Sequence, residues 1–181
     1  MEFSELLKSI NSLEDSYPPV HLWNPDLCEG VEMRIDREGN WYYQNSIIGR
    51  DKLKILFSRI LKFENGNYYL VTPVEKVIVK VDIAPYMIVD YEVDPAKEQI
   101  ILKTNLDLSI PLDKDHKLVL KKIGDEHIPF VHVRNNIEGF ISRSVYYSLI
   151  EVALKQENGS TEQLTLKSFD YNFNLGEITL N

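Results

Sequence analysis

The sequence predicts an α+β protein of two structurally related β-rich units, each carrying one helix, with an amphipathic helix ahead of the first. Three observations predict it. Apolar residues switch repeatedly between helical spacing and strict alternation. A stretch of the first half recurs in the second at an offset of 93 residues. No linker or low-complexity run breaks the 181 residues, a length suited to one large domain or two of about ninety each. The expected division is 1–84, the N-terminal helix plus first unit, and 85–181, the second unit.

Phe3, Leu6, Leu7, Ile10 and Leu13 recur at helical spacing, which predicts a helix over residues 1–16 ended by Tyr17-Pro18-Pro19. Its apolar stripe packs on the body of the protein or fits a partner's groove. From Val31 the period becomes two: Val31, Met33 and Ile35 alternate with Glu32, Arg34 and Asp36. The turn Arg37-Glu38-Gly39-Asn40 then leads to the aromatic strand Trp41-Tyr42-Tyr43, making a hairpin. Leu53, Leu56, Phe57, Ile60 and Leu61 restore helical spacing, and Gly66 after Asn65 is read as the left-handed stop of that helix.

Further strands are expected over 68–71, 76–82, 86–93, 99–103 and 118–121, and a pair over 131–134 and 137–141. Asp90, Glu92 and Asp94 alternate with Val89, Tyr91 and Val93, as on a solvated face. A second helix is expected over 143–155, followed by a return to strands.

The repeat aligns residues 48–66, IGRDKLKILFSRILKFENG, with 141–159, ISRSVYYSLIEVALKQENG; eight of nineteen paired positions are identical. Each copy reads as strand, short turn, helix and Gly-capped exit. Arg50 and Arg143 occupy the same place in the two copies, and with Gly49 and Ser142 as N-caps both fall at the first helical position. A cation there opposes the positive end of the helix dipole, at a cost of about 0.3–1 kcal/mol. Two of them suggest that each meets an anion, an internal carboxylate such as Glu75 or Glu138 or the anionic group of a ligand; the remaining alternative is that they are solvated with no partner.

A net charge of −8 repels nucleic-acid backbones and anionic lipid, so neither is an expected partner. Cys28 is the only cysteine, which rules out an intrachain disulfide and fits an inert small hydrophobe. Residues 1–16 lack a secretory pattern and no stretch is long and apolar enough to span a membrane, so a cytoplasmic location is expected. The eight glycines form no phosphate-binding loop, and no serine sits in a nucleophile elbow. His21, His116, His127 and His132 form no pair at metal-ligand spacing. No cofactor, metal or catalytic set is therefore expected, and the chain reads as non-enzymatic.

The segments Met-Arg-Ile, Asp-Arg-Glu-Gly-Asn-Trp, Ile-Gly-Arg, Leu-Phe-Ser and Tyr-Tyr-Leu-Val-Thr-Pro-Val-Glu-Lys-Val occur in order over residues 33–77. Lys-Thr-Asn at 103–105, Pro-Phe-Val-His-Val-Arg at 129–134 and Ser142-Arg143 follow. This pattern resembles the bacterial domain-of-unknown-function family 1285, over roughly residues 28–155. The resemblance implies a duplicated two-domain core whose C-terminal half is pleckstrin-homology-like. It also implies a nucleotide-like ligand held between the domains and a role in signal transduction.

Carried over by position, the implied ligand-binding residues are Trp41, Arg50, Glu75, Lys76, Thr104, Asn105, His132, Arg134 and Arg143. The three arginines would hold negative groups, Trp41 would stack, and Thr104 and Asn105 would read polar edges. Ile137-Glu138-Gly139 departs from the family's usual Leu-x-Ala. The leading expectation is a sensor of a small anionic or nucleotide-like molecule at the inter-domain cleft, acting with a signalling protein. The alternative is a protein–protein adaptor that uses sheet edges or the N-terminal helix and takes no small ligand.

Overall fold

The structure, a computed structural model, describes residues 17–156 and 163–177. The expected helix over 1–16 and the Asn158-Gly159 exit of the second repeat copy lie outside them. The chain divides into two compact units, Met1–Pro85 and Tyr86–Asn181. Both are β-rich with one described helix each, α+β overall.

In the first unit a single 3-10 turn, Val20–Leu22, follows the two prolines. Strands β1 (Met33–Ile35), β2 (Trp41–Tyr43) and β3 (Ser46–Ile47) precede helix α1 (Asp51–Arg59). Strands β4 (Leu61–Glu64), β5 (Asn67–Val71) and β6 (Lys76–Val81) follow it. One six-stranded sheet results, in the order β3-β2-β1-β6-β5-β4, antiparallel except where β1 runs parallel to β6.

Side-chain alternation divides the faces of this sheet. Met33, Ile35, Trp41, Leu61, Leu70, Val77 and Val79 are buried on one face, where Trp41 stacks on Phe57 of α1 at 6.2 Å. Arg34, Tyr42, Tyr69, Ile78 and Lys80 share the other face by register. The charges there are paired, Arg34 with Asp82 at 2.6 Å and Lys80 with Glu32 at 3.0 Å.

Helix α1 is shorter than its apolar spacing predicts. It ends at Arg59, and Leu61 begins β4 instead of a further helical turn. Ile60 and Leu61 suit either period, and pairing of Leu61 with Leu70 on β5 decides the matter. Gly66 is consequently no helix stop. Asn65 (φ 51°) and Gly66 (φ 79°) are the two positive-φ residues of the β4–β5 hairpin, the Asn-Gly turn that suits strand twist.

The second unit contains β7 (Tyr86–Asp94), β8 (Gln99–Thr104), β9 (Ser109–Pro111), β10 (Leu118–Ile123), β11 (Glu126–Arg134) and β12 (Ile137–Ile141). They form a sheet in the order β10-β11-β12-β7-β8-β9, with β12 parallel to β7. Helix α2 (Arg143–Gln156) follows, then the separate hairpin β13 (Gln163–Ser168) and β14 (Tyr171–Glu177). Val145, Leu149 and Ala153, spaced by four, are the buried stripe of α2, which packs on β13 and β7. Ser168 Oγ accepts the Ile100 N–H at 3.0 Å and ties the hairpin to β8.

The two repeat copies agree at the helix start and part at its end. Leu61-Lys62-Phe63-Glu64 is strand in the first copy, whereas the matching Leu154-Lys155-Gln156 is the last turn of α2. The Gln156 side chain accepts from Lys167 N at 2.8 Å and donates to its carbonyl at 3.0 Å, which fastens that helix end to β13. The same short sequence thus follows its tertiary surroundings.

Candidate functional site

The polar groups of the sequence motifs are largely engaged within the fold. In the first unit, Asp36 of Asp-Arg-Glu-Gly-Asn-Trp is 7% exposed. Its Oδ1 accepts the N–H groups of Glu38 (3.0 Å) and Asn40 (2.8 Å), and its Oδ2 accepts Asn40 Nδ2 (3.1 Å) and the Tyr42 hydroxyl (3.0 Å). Burial works to raise the pKa of this carboxyl, but the hydrogen bonds from Asn40, Tyr42 and Glu38 outweigh it and hold it below the ordinary value. The motif is the clamp of the β1–β2 turn.

Trp41, at the end of the same motif, is fully buried against Phe57, and its indole N–H has no acceptor among the described residues. Its ring faces are not open to a flat ligand, which corrects the stacking role expected for it. In Leu-Val-Thr-Pro-Val-Glu-Lys, Thr72 is fully buried, and its Oγ1 accepts the N–H groups of Val74 (3.4 Å) and Glu75 (3.1 Å). Glu75 is half-buried in this turn, and its carbonyl accepts the Thr72 N–H at 2.8 Å.

Lys76 reaches Glu64 at 2.5 Å and lies 4.2 Å above the Tyr69 ring. Lys62 meets the same carboxylate at 2.9 Å and donates to the Trp23 carbonyl at 3.2 Å. Hydrogen bonds from Lys76 and then Lys62 hold the Glu64 carboxyl below its ordinary pKa. Lys76 is therefore spent on bracing β4 to β6.

The second unit uses its motif residues in the same manner. Thr104 is buried, and its Oγ1 accepts the N–H groups of Leu106 (3.3 Å) and Leu108 (3.0 Å). Asn105 Oδ1 accepts the Met87 N–H at 3.0 Å, and Asn105 N–H donates to the Met87 carbonyl at 2.9 Å. Together they turn the chain out of β8 and close the irregular β7–β8 ladder near Ile88. Thr104 Oγ1 and Asn105 Oδ1 are thus both engaged by the fold.

His132 holds loops in place, with Nδ1 2.9 Å from the Asp115 carbonyl and Nε2 on the Asn135 carbonyl. Asp113 Oδ1 meets His116 Nδ1 at 3.0 Å, and the two histidine rings lie 6.0 Å apart. Among the described residues no group of three or more His, Cys, Asp or Glu is placed to hold a metal ion. Arg134 Nε donates to the buried Tyr86 hydroxyl at 3.2 Å.

Arg50 and Arg143 differ from all of these. Both are exposed, and neither guanidinium has a hydrogen bond or ion pair with a described residue. The carboxylate offered as a partner for one of them, Glu138, is taken by Lys121. Their helix positions are not identical, however. The Ser142 carbonyl accepts the Tyr146 N–H at 2.9 Å, so Ser142 is the N-cap of α2 and Arg143 its first residue. In α1 the Arg50 carbonyl itself accepts Leu53 (3.0 Å) and Lys54 (3.2 Å), which makes Arg50 the N-cap and Asp51 the first helical residue. Asp51 turns to Lys54 at 2.7 Å.

Arg50 lines a groove of about 430 Å³ with Tyr43, Ser46, Ile47, Ile48, Gly49 and Leu53. Tyr43, Ile48, Gly49 and Leu53 entered the sequence analysis only as strand, motif, cap and helix-stripe residues, and Ser46 and Ile47 did not enter it. The signal was slight, because β3 is two residues long and its turn is Gln44-Asn45 (φ 44° and 64°), not a glycine dipeptide. A second groove of about 380 Å³ lies by Gly30, Val31, Glu32, Met33, Ile78 and Lys80, and its opposite charges are already paired with each other.

Residues 18–84 match the N-terminal domain, and residues 85–175 the C-terminal domain, of DUF1285, a family of unknown function. Among solved structures, the chain is similar to a DUF1285 family protein from Silicibacter pomeroyi DSS-3. The identity is 35% and the TM-score 0.80, covering 96% of this chain and 95% of that one. It is also similar to a DUF1285 family protein from Shewanella baltica OS155, at 27% identity and a TM-score of 0.55, over 68% of this chain and 94% of that one. No curated protein matches it. No helix among the described residues is long and apolar enough to cross a membrane.

Proposed function

The chain belongs to the DUF1285 family, and on that premise we propose that it is a non-catalytic binding protein for a small acidic ligand, with Arg50 as the residue that holds the acid. One observation carries the reading. Within the motifs, Asp36, Thr72, Lys76, Thr104, Asn105, His132 and Arg134 have architectural partners, and Arg50 and Arg143 have none among the described residues. A cation at a helix N-terminus is mildly unfavourable on its own, so its presence is explained by an anion that comes from outside.

The Arg50 groove suits a ligand with an apolar body and one negative end. Ile47, Ile48 and Leu53 supply apolar wall, and the guanidinium offers a planar fork that matches a carboxylate or phosphate in bidentate fashion. Arg143 is a second anchor for an anion, at the start of α2. On this reading the protein senses its ligand in the cytoplasm and passes the signal to a protein partner. A reducing compartment agrees with the single Cys28.

The test is thermal stability of the full chain against phosphate, nucleotides and small carboxylates, run beside Arg50→Ala and Arg143→Ala. A ligand at about 100 times its Kd adds roughly 2.7 kcal/mol, a rise of about 5–10 °C for a chain of this length. Such a rise that disappears in Arg50→Ala supports the reading. A rise that both variants retain removes the arginines from the site.

A further inference from the structure

The β2–β3 hairpin leaves one stretch of backbone open beside the Arg50 groove. Its two turn residues, Gln44 and Asn45, both have positive φ, which makes Tyr43 and Ser46 the hydrogen-bonded pair that closes the turn. Bonded and non-bonded pairs alternate along an antiparallel ladder. Tyr42↔Ile47 is therefore a non-bonded pair, and Ile48 must bond to Trp41. The Ile48 N–H does so, donating to the Trp41 carbonyl at 2.7 Å. It follows that the N–H and C=O of Ile47 point away from β2. Strand β3 is the last of its sheet, Ile47 is 60% exposed, and no described residue bonds to it from the open side.

We propose that this edge docks the C-terminal end of a partner polypeptide as an added strand, with its terminal carboxylate on Arg50. The proposal rests on the reading of Arg50 as the residue that holds an acid, and takes that acid to be the C-terminus of a polypeptide instead of a small molecule. Ile47 offers one donor and one acceptor, enough to fix one residue of an extended chain by main-chain bonds. The groove beside it supplies apolar wall for that chain's side chains, and it is bounded by Arg50, three residues further on.

The charge at that boundary selects the occupant. Arg50 has no carboxylate of its own, so an incoming one completes it. A chain that continued would need more open edge than a two-residue strand provides, whereas a chain that ends there needs no more. The short edge also limits sheet-to-sheet association.

The experiment titrates the full chain by NMR with an acetylated apolar tetrapeptide bearing a free C-terminal carboxylate. Its C-terminal amide, sodium acetate and inorganic phosphate serve as comparison probes. Arg50→Gln and Ile47→Pro are the variants. Proline at 47 removes an N–H that faces away from the sheet, so it costs no internal hydrogen bond; Ile47→Ala keeps the edge and controls for the lost side chain.

The expected result is binding of the acid peptide with shifts at residues 46–53. Binding falls tenfold or more with the amide, with Arg50→Gln and with Ile47→Pro, but much less with Ile47→Ala. Binding of phosphate or acetate as tight as the peptide's, lost in Arg50→Gln but indifferent to Ile47→Pro, overturns the peptide and leaves Arg50 a ligand residue. No binding by any probe overturns both.

Discussion

Asp36→Ala is the perturbation whose cost can be worked most fully from the structure. The substitution removes the acceptor for four hydrogen bonds, two from backbone N–H groups and two from side chains. At about 1 kcal/mol net for each bond, the loss is about 3–4 kcal/mol, which lowers the melting temperature by on the order of 10 °C for a chain of this length. Asp36→Asn keeps one carbonyl oxygen for the two backbone donors but turns an amide toward Asn40, and it should cost about 1–2 kcal/mol.

Tryptophan fluorescence during urea unfolding is the assay, because Trp23 and Trp41 both lie in the first unit. That matters in a two-unit chain, which need not unfold in one step. Because the folded pKa of Asp36 is depressed, its contribution is present at neutral pH and is lost as pH falls through the folded value. The gap between wild type and Asp36→Asn should therefore narrow in acid. An alanine variant within about 0.5 kcal/mol of wild type, or one no worse than asparagine, would refute the reasoning.

Three further outcomes follow from the same accounting. In Gly139→Ala the new Cβ would sit 3.0 Å from Tyr86 Cβ, 3.1 Å from its carbonyl oxygen and 3.3 Å from Val133 Cγ2. Urea unfolding followed by circular dichroism should show a loss of about 1–3 kcal/mol. Asn105→Ala leaves the Met87 N–H without its acceptor, and hydrogen exchange at Met87 should quicken with a loss of about 1–2 kcal/mol in the second unit. Glu64, whose folded pKa is depressed, contributes stability that is present above the ordinary carboxylate range and fades as pH falls through the folded value. Glu64→Gln should therefore flatten the acid limb of the stability profile of the first unit, as read by tryptophan fluorescence.

The parts of the fold legible in the sequence were those in which period and turn chemistry agree. Met33 and Ile35 alternate, Gly39 sits in the following turn, and β1 and β2 pair as that pattern predicts, Ile35 opposite Trp41. The end of α1 was misread because Ile60 and Leu61 satisfy two periods at once. Only the partner strand, not in view locally, makes Asn65-Gly66 a hairpin turn and not a helix cap. Strand β3, of two residues, is too short to carry a period.

The candidate residues divide on a different ground. Thr104 and Asn105 have the side chains of a recognition site and also those of a turn, and local sequence does not separate the two uses. Bonding to Leu106, Leu108 and Met87 does. For Arg50 and Arg143 the physical oddity, a cation where a helix favours an anion, was legible from spacing alone. Their lack of an internal carboxylate was not, since it takes the fold to bring Lys121 of β10 to Glu138 of β12.

The central claim, that these two guanidinium groups are not spent on the fold, is tested most directly by urea unfolding of the Arg50→Ala/Arg143→Ala double variant without any ligand. The account predicts stability within about 0.5 kcal/mol of wild type, the usual range for surface positions without a partner. A loss of about 2 kcal/mol or more would contradict it and make both arginines part of the architecture.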